Sequence, residues 1–190
     1  MRCGRLFLLP QTTSAVRASS NMSDLPSFRR VVTTHNEAGL AVVKDDKEIP
    51  SKDVPGSTGL KLGPVWITDS VPTNDNNIDI DGGERPVKRD LGLVSPGATN
   101  CTFTDLAPGA ATVWHRTSSL DHNILLYGKI ILLLEDGTET TLDKPGDTVI
   151  QRGTMHAWKN PGPDWARWIT VLVDAHPAEV NGKALQAEAR

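Results

Sequence analysis

The stretch that decides the fold runs from Gly109 to Asn160: GAATVWHRTSSLDHNILLYGKIILLLEDG over residues 109–137, then KPGDTVIQRGTMHAWKN over residues 144–160. An apolar-rich segment leads to Trp114 and His115, and the turn-prone Arg116-Thr117-Ser118-Ser119 follows. Asn123 to Leu134 is dense in Ile and Leu and is interrupted at Gly128. Glu135-Asp136-Gly137 closes a hairpin, because Asp-Gly readily adopts the positive φ that tight hairpin turns require. Pro145-Gly146-Asp147 opens a further short strand, Thr148 to Gln151, with His156 just beyond it. Three of the chain's five histidines, His115, His122 and His156, therefore sit on consecutive short strands of one meander. Such strands bring side chains together inside a β-barrel from positions far apart in sequence.

Outward from this block the pattern stays β. Trp165 to Asp174 ends in period-two alternation and reads as a closing strand, and Cys101 to Leu106 alternates like a half-buried one. The tail from His176 is polar, and its ALQAEAR composition favours a short helix or fraying. Residues 69–99 form a long polar connection, in which Leu91 to Ser95 reads as a short strand. Its DNNIDIDGG run alternates acidic and amide oxygens, but it lacks the terminal Glu and flanking helices of a calcium loop, so it reads as a solvated loop placed to cross a barrel mouth. Upstream, Arg30 to Thr34 and Leu40 to Val43 make a hairpin around Asn36-Glu37-Ala38-Gly39; Lys44 to Lys61 reads as a loop and Pro64 to Thr68 as a strand. Residues 1–21 carry three Arg, many Ser and Thr and no acid, the composition of a disordered or mitochondrial targeting extension.

With 190 residues the chain suffices for one domain with a proper core, here 22–175, followed by a tail at 176–190. A formal net charge of −3 gives no basic footprint for nucleic acid. No apolar run is long enough to span a bilayer. Cys3 and Cys101 are the only cysteines, too few for a disulfide framework, which favours a reducing compartment. The expected location is cytoplasmic, or mitochondrial if residues 1–21 act as a transit peptide.

The spacing in the deciding stretch resembles the two signature motifs of the cupins, small double-stranded β-helix (jelly-roll) barrels. For the first motif the chain gives Gly109, five residues, His115, Arg116, Thr117, three residues, Asp121, six residues and Gly128. Thr117 stands where the family has a second histidine and Asp121 where it has a glutamate. For the second motif it gives Gly146, Gly153, His156 and Asn160, with one residue fewer than usual and Gln151 in place of proline. The wording HRTSSLDH over 115–122 with QRGTMHAWKNPG over 151–162 is similar to stand-alone cupins of fungal polyketide and other secondary-metabolite clusters, termed cupin-type oxidoreductases. The fold expectation is all-β: a cupin barrel with an N-terminal extension and a long loop before the motif region.

The resemblance implies one divalent transition-metal ion, Fe, Zn, Mn or Ni, held by His115 and His156 with Asp121 or His122 as a further ligand. Neighbouring strand residues point to opposite faces, so without a bulge only one of Asp121 and His122 looks inward. Two His with Asp121 would suit Fe(II) and oxygen; three His would suit Zn(II). Asp121 and His122 are also the candidate proton carriers. Arg116, Gln151 and Trp158 are candidate substrate contacts, Trp158 as an aromatic wall and Arg116 as a partner for a carboxylate or phenolate. His35 and His176, in turn and tail contexts, read as structural. The functional expectation is a metal-dependent small-molecule enzyme of secondary metabolism, an oxidoreductase on an aromatic or polyketide-like substrate. The alternatives are a cupin lyase (decarboxylase or dehydratase) and a non-catalytic ligand-binding cupin. A homodimer is expected by family analogy, through edge strands covered by the N-terminal hairpin.

Overall fold

Two antiparallel sheets build the body, and the reason is visible in their strands: each alternates one inward and one outward side chain, so each sheet has one face to bury. The computed structural model describes residues 25–88, 91 and 93–190; the expected extension at 1–21 lies outside them. The strands in order are β1 (Phe28–His35), β2 (Ala41–Ile49), β3 (Lys52–Asp53), β4 (Leu60–Ile67), β5 (Thr99–Leu106), β6 (His115–Arg116), β7 (Ser119–Tyr127), β8 (Ile130–Leu134), β9 (Glu139–Leu142), β10 (Thr148–Arg152), β11 (His156–Lys159), β12 (Ala166–Asp174), β13 (Ala178–Val180), β14 (Lys183–Leu185) and β15 (Glu188–Ala189). One sheet runs β10-β7-β12-β5-β4-β3 and the other β15-β6-β11-β8-β9. The only described helical turn is a 3-10 turn at Gly82–Glu84.

The two sheets meet in an apolar core of Leu106, Leu125, Ile130, Leu132, Leu142, Trp158, Ala166 and Trp168. Two glycines mark the tightest approaches. A side chain at Gly63 would enter the Phe103 ring at 2.1 Å, and one at Gly128, where φ is +75°, would meet the Trp165 carbonyl at 2.6 Å. Asn160 is fully buried and pins the end of the motif region: its Nδ2 donates to the Leu106 and Asp164 carbonyls, and its Oδ1 accepts from Gly162 N–H.

Four local expectations change. The hairpin is longer than its alternation suggested, because β2 continues through the charged Lys44 to Ile49, where Asp45 and Lys47 find Arg30 and Asp81 as partners. The acidic run at 75–81 is solvated in its middle, where residues 76–79 are exposed, but is anchored at both ends. Asp75 takes two bonds from Arg85 and one from Trp66 Nε1, Asp79 pairs with Lys44, and Asp81 takes two bonds from Arg30. The Arg85 guanidinium holds the Asp75 carboxyl down at about 2. Residues 93–95 form no strand. The tail forms β13–β15 instead of a helix, because β15 completes the edge beside β6 and pairing overrides the helix propensity of ALQAEAR. No helix among the described residues is long and apolar enough to cross a membrane.

Candidate functional site

A cavity of about 290 Å³ opens beyond the core, between the two sheets. Trp158 and Trp168 belong to both: they cap the core and line the cavity, with ring centroids 5.7 Å apart. Leu91 and Leu93, from the long connection, contribute to the wall, as do Leu60, Leu62 and Leu172. The polar lining comes from His115, Asp121, Asn123, His156 and several threonines.

His115 and His156 arrive by strand pairing. Residues 115 and 156 are direct partners across β6 and β11, and their ring centroids lie 4.3 Å apart at an angle of 50°. His115 Nδ1 lies 3.0 Å from the Val113 carbonyl and His156 Nδ1 lies 2.9 Å from the Thr154 carbonyl. A carbonyl accepts only, so both rings carry their proton on Nδ1 and keep a lone pair on Nε2. Burial pushes His156 down to about 4, with the neighbouring His115 adding to the effect, and burial also lowers His115. Both rings are therefore neutral at pH 7. Trp158 stands edge-on to His156 at 5.9 Å.

Asp121 comes from the other sheet, on β7. Its parity is inward and it is 4% exposed. Ser119 Oγ donates to its Oδ1 at 2.5 Å, and Thr117 Oγ1 lies 3.4 Å from Oδ2. Ser119 Oγ also lies 2.7 Å from Thr117 Oγ1. Burial is the largest influence on this carboxyl and raises it to about 6; the two hydroxyls offset only part of that.

The remaining candidates are placed elsewhere. His122 points to the opposite face of β7 from Asp121, paired with Ile150 and Val171, and is not part of the cavity wall. Arg116 turns away as well, toward the tail: its Nε donates to the Gln186 carbonyl and its guanidinium pairs with Glu188 at 3.1 Å. Gln151 is buried, shares parity with Asp121 and donates to Thr154 Oγ1 at 2.8 Å, outside the cavity lining. Trp158 lines the cavity. Asn123, Trp168 and Thr170 also face it without having been singled out in the sequence. Parity with Asp121 and the alternation of WARWITVLVD carried that signal.

No family model matches the chain. Curated proteins do. The chain is 32% identical over 174 residues to phomopsin biosynthesis cluster protein D of Diaporthe leptostromiformis, covering 88% of this chain and 91% of that protein. It is 31% identical over 165 residues to the cupin-domain-containing oxidoreductase fogC of Aspergillus ruber, covering 83% of this chain and 77% of the relative. The chain belongs to the cupin-domain proteins of fungal biosynthetic clusters. Among solved structures, the polyketide cyclase RemF of Streptomyces resistomycificus aligns with this cupin over 74% of this chain and 79% of that chain, with a TM-score of 0.47 and 15% identity.

Cupin folds generally bind a divalent metal. In this cupin the imidazole pair suits two of an ion's donors: each Nδ1–H is held by a backbone carbonyl, which orients Nε2 for ligation. The rest of the donor set is not assembled. Thr117 replaces a third imidazole, Asp121 is engaged by hydroxyls, and among the described residues no three His, Cys, Asp or Glu side chains gather closely enough to hold an ion. The residues present do not fit a complete protein-held metal centre.

Proposed function

We propose that this cupin is an enzyme of secondary metabolism that admits a small, largely apolar carbonyl compound, aromatic or polyketide-like, and moves a proton at the carbon beside the carbonyl, with Asp121 as the base. The observation that carries this reading is the setting of Asp121, a buried carboxyl in a largely apolar cavity that also holds two neutral imidazoles and Asn123, with the hydroxyls of Ser119 and Thr117 as its hydrogen-bond partners. A carboxylate whose proton affinity is raised toward neutrality is well matched to general base work near pH 7. In the step, an Asp121 oxygen takes the Cα proton, the C–H pair becomes the C=C bond of an enolate, and the carbonyl oxygen takes the negative charge. Return of that proton elsewhere completes an isomerisation; loss of a β-substituent completes an elimination. His115 and His156 present Nε2 lone pairs, which accept from a hydroxyl of the bound molecule and orient it.

The apolar walls, Trp158, Trp168 and the leucines, fit a compact ring system. The test needs no knowledge of the natural substrate. α-Tetralone is incubated with the protein in D₂O and chelator, and exchange of its α-protons is followed by NMR. Acceleration by wild type and its loss in Asp121→Asn support the reading; no acceleration by wild type overturns it. The oxidoreductase name of the relatives favours a second reading, redox chemistry on the same bound molecule. That reading is the one supported if turnover appears only on adding a transition-metal ion or an oxidant.

A further inference from the structure

Asn123 is one alternate step from Asp121 on the inner face of β7, and its surroundings divide its carboxamide in two. Thr170 Oγ1, from the paired position on β12, donates to Asn123 Oδ1 at 2.8 Å. Nδ2, on the same group, is buried and has no hydrogen-bond partner. The residue is 3% exposed and lines the cavity. Buried amide donors in native proteins are almost always paired, so an orphan beside an ionisable carboxyl in a cavity points to a partner that arrives with a ligand. The imidazoles across the cavity do not supply donors: both Nδ1–H groups are committed to backbone carbonyls, and Nε2 only accepts. The lining therefore has acceptors at the imidazoles and a waiting donor at Asn123.

We infer that Asn123 is a specificity-determining residue whose Nδ2–H donates to the carbonyl oxygen of the bound molecule, with Thr170 fixing the carboxamide so that nitrogen and not oxygen is presented. The ligand class that satisfies both walls is a hydroxy-carbonyl compound: its carbonyl oxygen accepts from Asn123 and its hydroxyl donates to His115 or His156 Nε2. The carbonyl would then lie beside Asp121, with Asn123 holding the oxygen on which charge develops when a neighbouring proton leaves. This inference rests on the proposed binding of carbonyl compounds but not on the proton transfer.

The experiment compares α-tetralone with tetralin, the same carbon skeleton without the carbonyl, by quenching of tryptophan fluorescence, since Trp158 and Trp168 line the cavity. Wild type is expected to prefer the ketone by about tenfold. In Asn123→Leu the preference falls to near unity while the melting temperature stays near that of wild type, because the substitution removes one unsatisfied donor and leaves the Thr170 hydroxyl without its acceptor. Asn123→Thr, smaller and still carrying a hydrogen-bond donor in its hydroxyl, serves as the second variant and is expected to keep an intermediate preference. The carbonyl stretch of bound α-tetralone gives an independent reading: it is displaced to lower frequency in wild type and returns to its value in hydrocarbon solvent in Asn123→Leu. A ketone preference that survives Asn123→Leu, or a wild type that binds both probes alike, overturns the assignment. Ketone preference without α-proton exchange would sink the base role of Asp121 and leave Asn123 standing.

Discussion

Asp105 and Asp121 lie in the same six-stranded sheet, both buried, and the chain treats them in opposite ways. Asp105 projects from β5 on the face away from the cavity and is fully buried. Arg167 of β12, its direct partner, supplies two bonds at 2.5 and 2.7 Å. The same guanidinium lies 4.7 Å from the centre of the Phe103 ring and donates to the Pro26 carbonyl. Phe28 stacks on Phe103 at 4.4 Å, so the start of the described chain seals that face. Asp121 projects into the cavity and is met by hydroxyls instead of a guanidinium. A buried carboxylate that serves the fold is neutralised by a matched cation. One met only by neutral donors keeps a proton near pH 6 and so remains available for chemistry.

The largest expected effect tests the first half of that contrast. Arg167→Met leaves Asp105 buried and unpaired and should lower stability by about 3–5 kcal/mol in urea unfolding. Adding Asp105→Asn should recover a substantial part. A loss in Arg167→Met below about 1 kcal/mol would erase the distinction between the two carboxyls.

Asp121→Asn should behave in the opposite way. The folded carboxyl sits at about 6, above its unfolded range near 4, so protonation favours the folded state. Its contribution is fully present below about pH 4 and is lost as pH rises through 6. The variant should therefore be more stable than wild type above pH 6, by up to about 3 kcal/mol, with the difference closing toward pH 4. Thermal unfolding of both proteins across that range is the check, and a destabilised variant at pH 7 would contradict it.

His156 runs against Asp121. Its folded value of about 4 lies below the unfolded range near 6.5, so its contribution is complete above 6.5 and is lost as pH falls toward 4. In the Asp121→Asn background the loss of stability between pH 6.5 and 4 should be visible, and His156→Gln should flatten it. An unchanged slope in His156→Gln would show that other groups control the acid limb.

Much of this was legible in the sequence, and the reasons are particular. The Gly109 to Asn160 stretch shows its strands because inward and outward residues alternate and the turns carry Gly and Asp. The same alternation requires Asp121 and His122 to part company, and β7 runs through both without a bulge. What spacing could not reveal is that His115 and Asp121, six positions apart, stand on different sheets, since the chain changes sheet between Arg116 and Ser119. Nor could it reveal long-range partners: Asp105 and Arg167 are 62 residues apart, and Arg116 meets Glu188 72 residues on. Asn123 was passed over because an orphan donor is defined by what fails to touch it.

The smallest expected effect belongs to that last ion pair. Glu188 is half-exposed, so Arg116→Gln should cost no more than about 1 kcal/mol and leave ligand binding within twofold of wild type, as read by unfolding and fluorescence. A large drop in ligand binding would bring Arg116 back as a cavity residue.

The carboxyl of Asp121 can be watched directly. With aspartate labelled at ¹³Cγ, its NMR resonance is assigned by its absence in Asp121→Asn and followed from pH 3 to 8. A midpoint near 6 is the result expected of a base held among hydroxyls in an apolar cavity. A midpoint below about 4.5, in the range of ordinary aspartates, would mean that a cation or water already compensates this carboxylate, and its role as the base would be withdrawn.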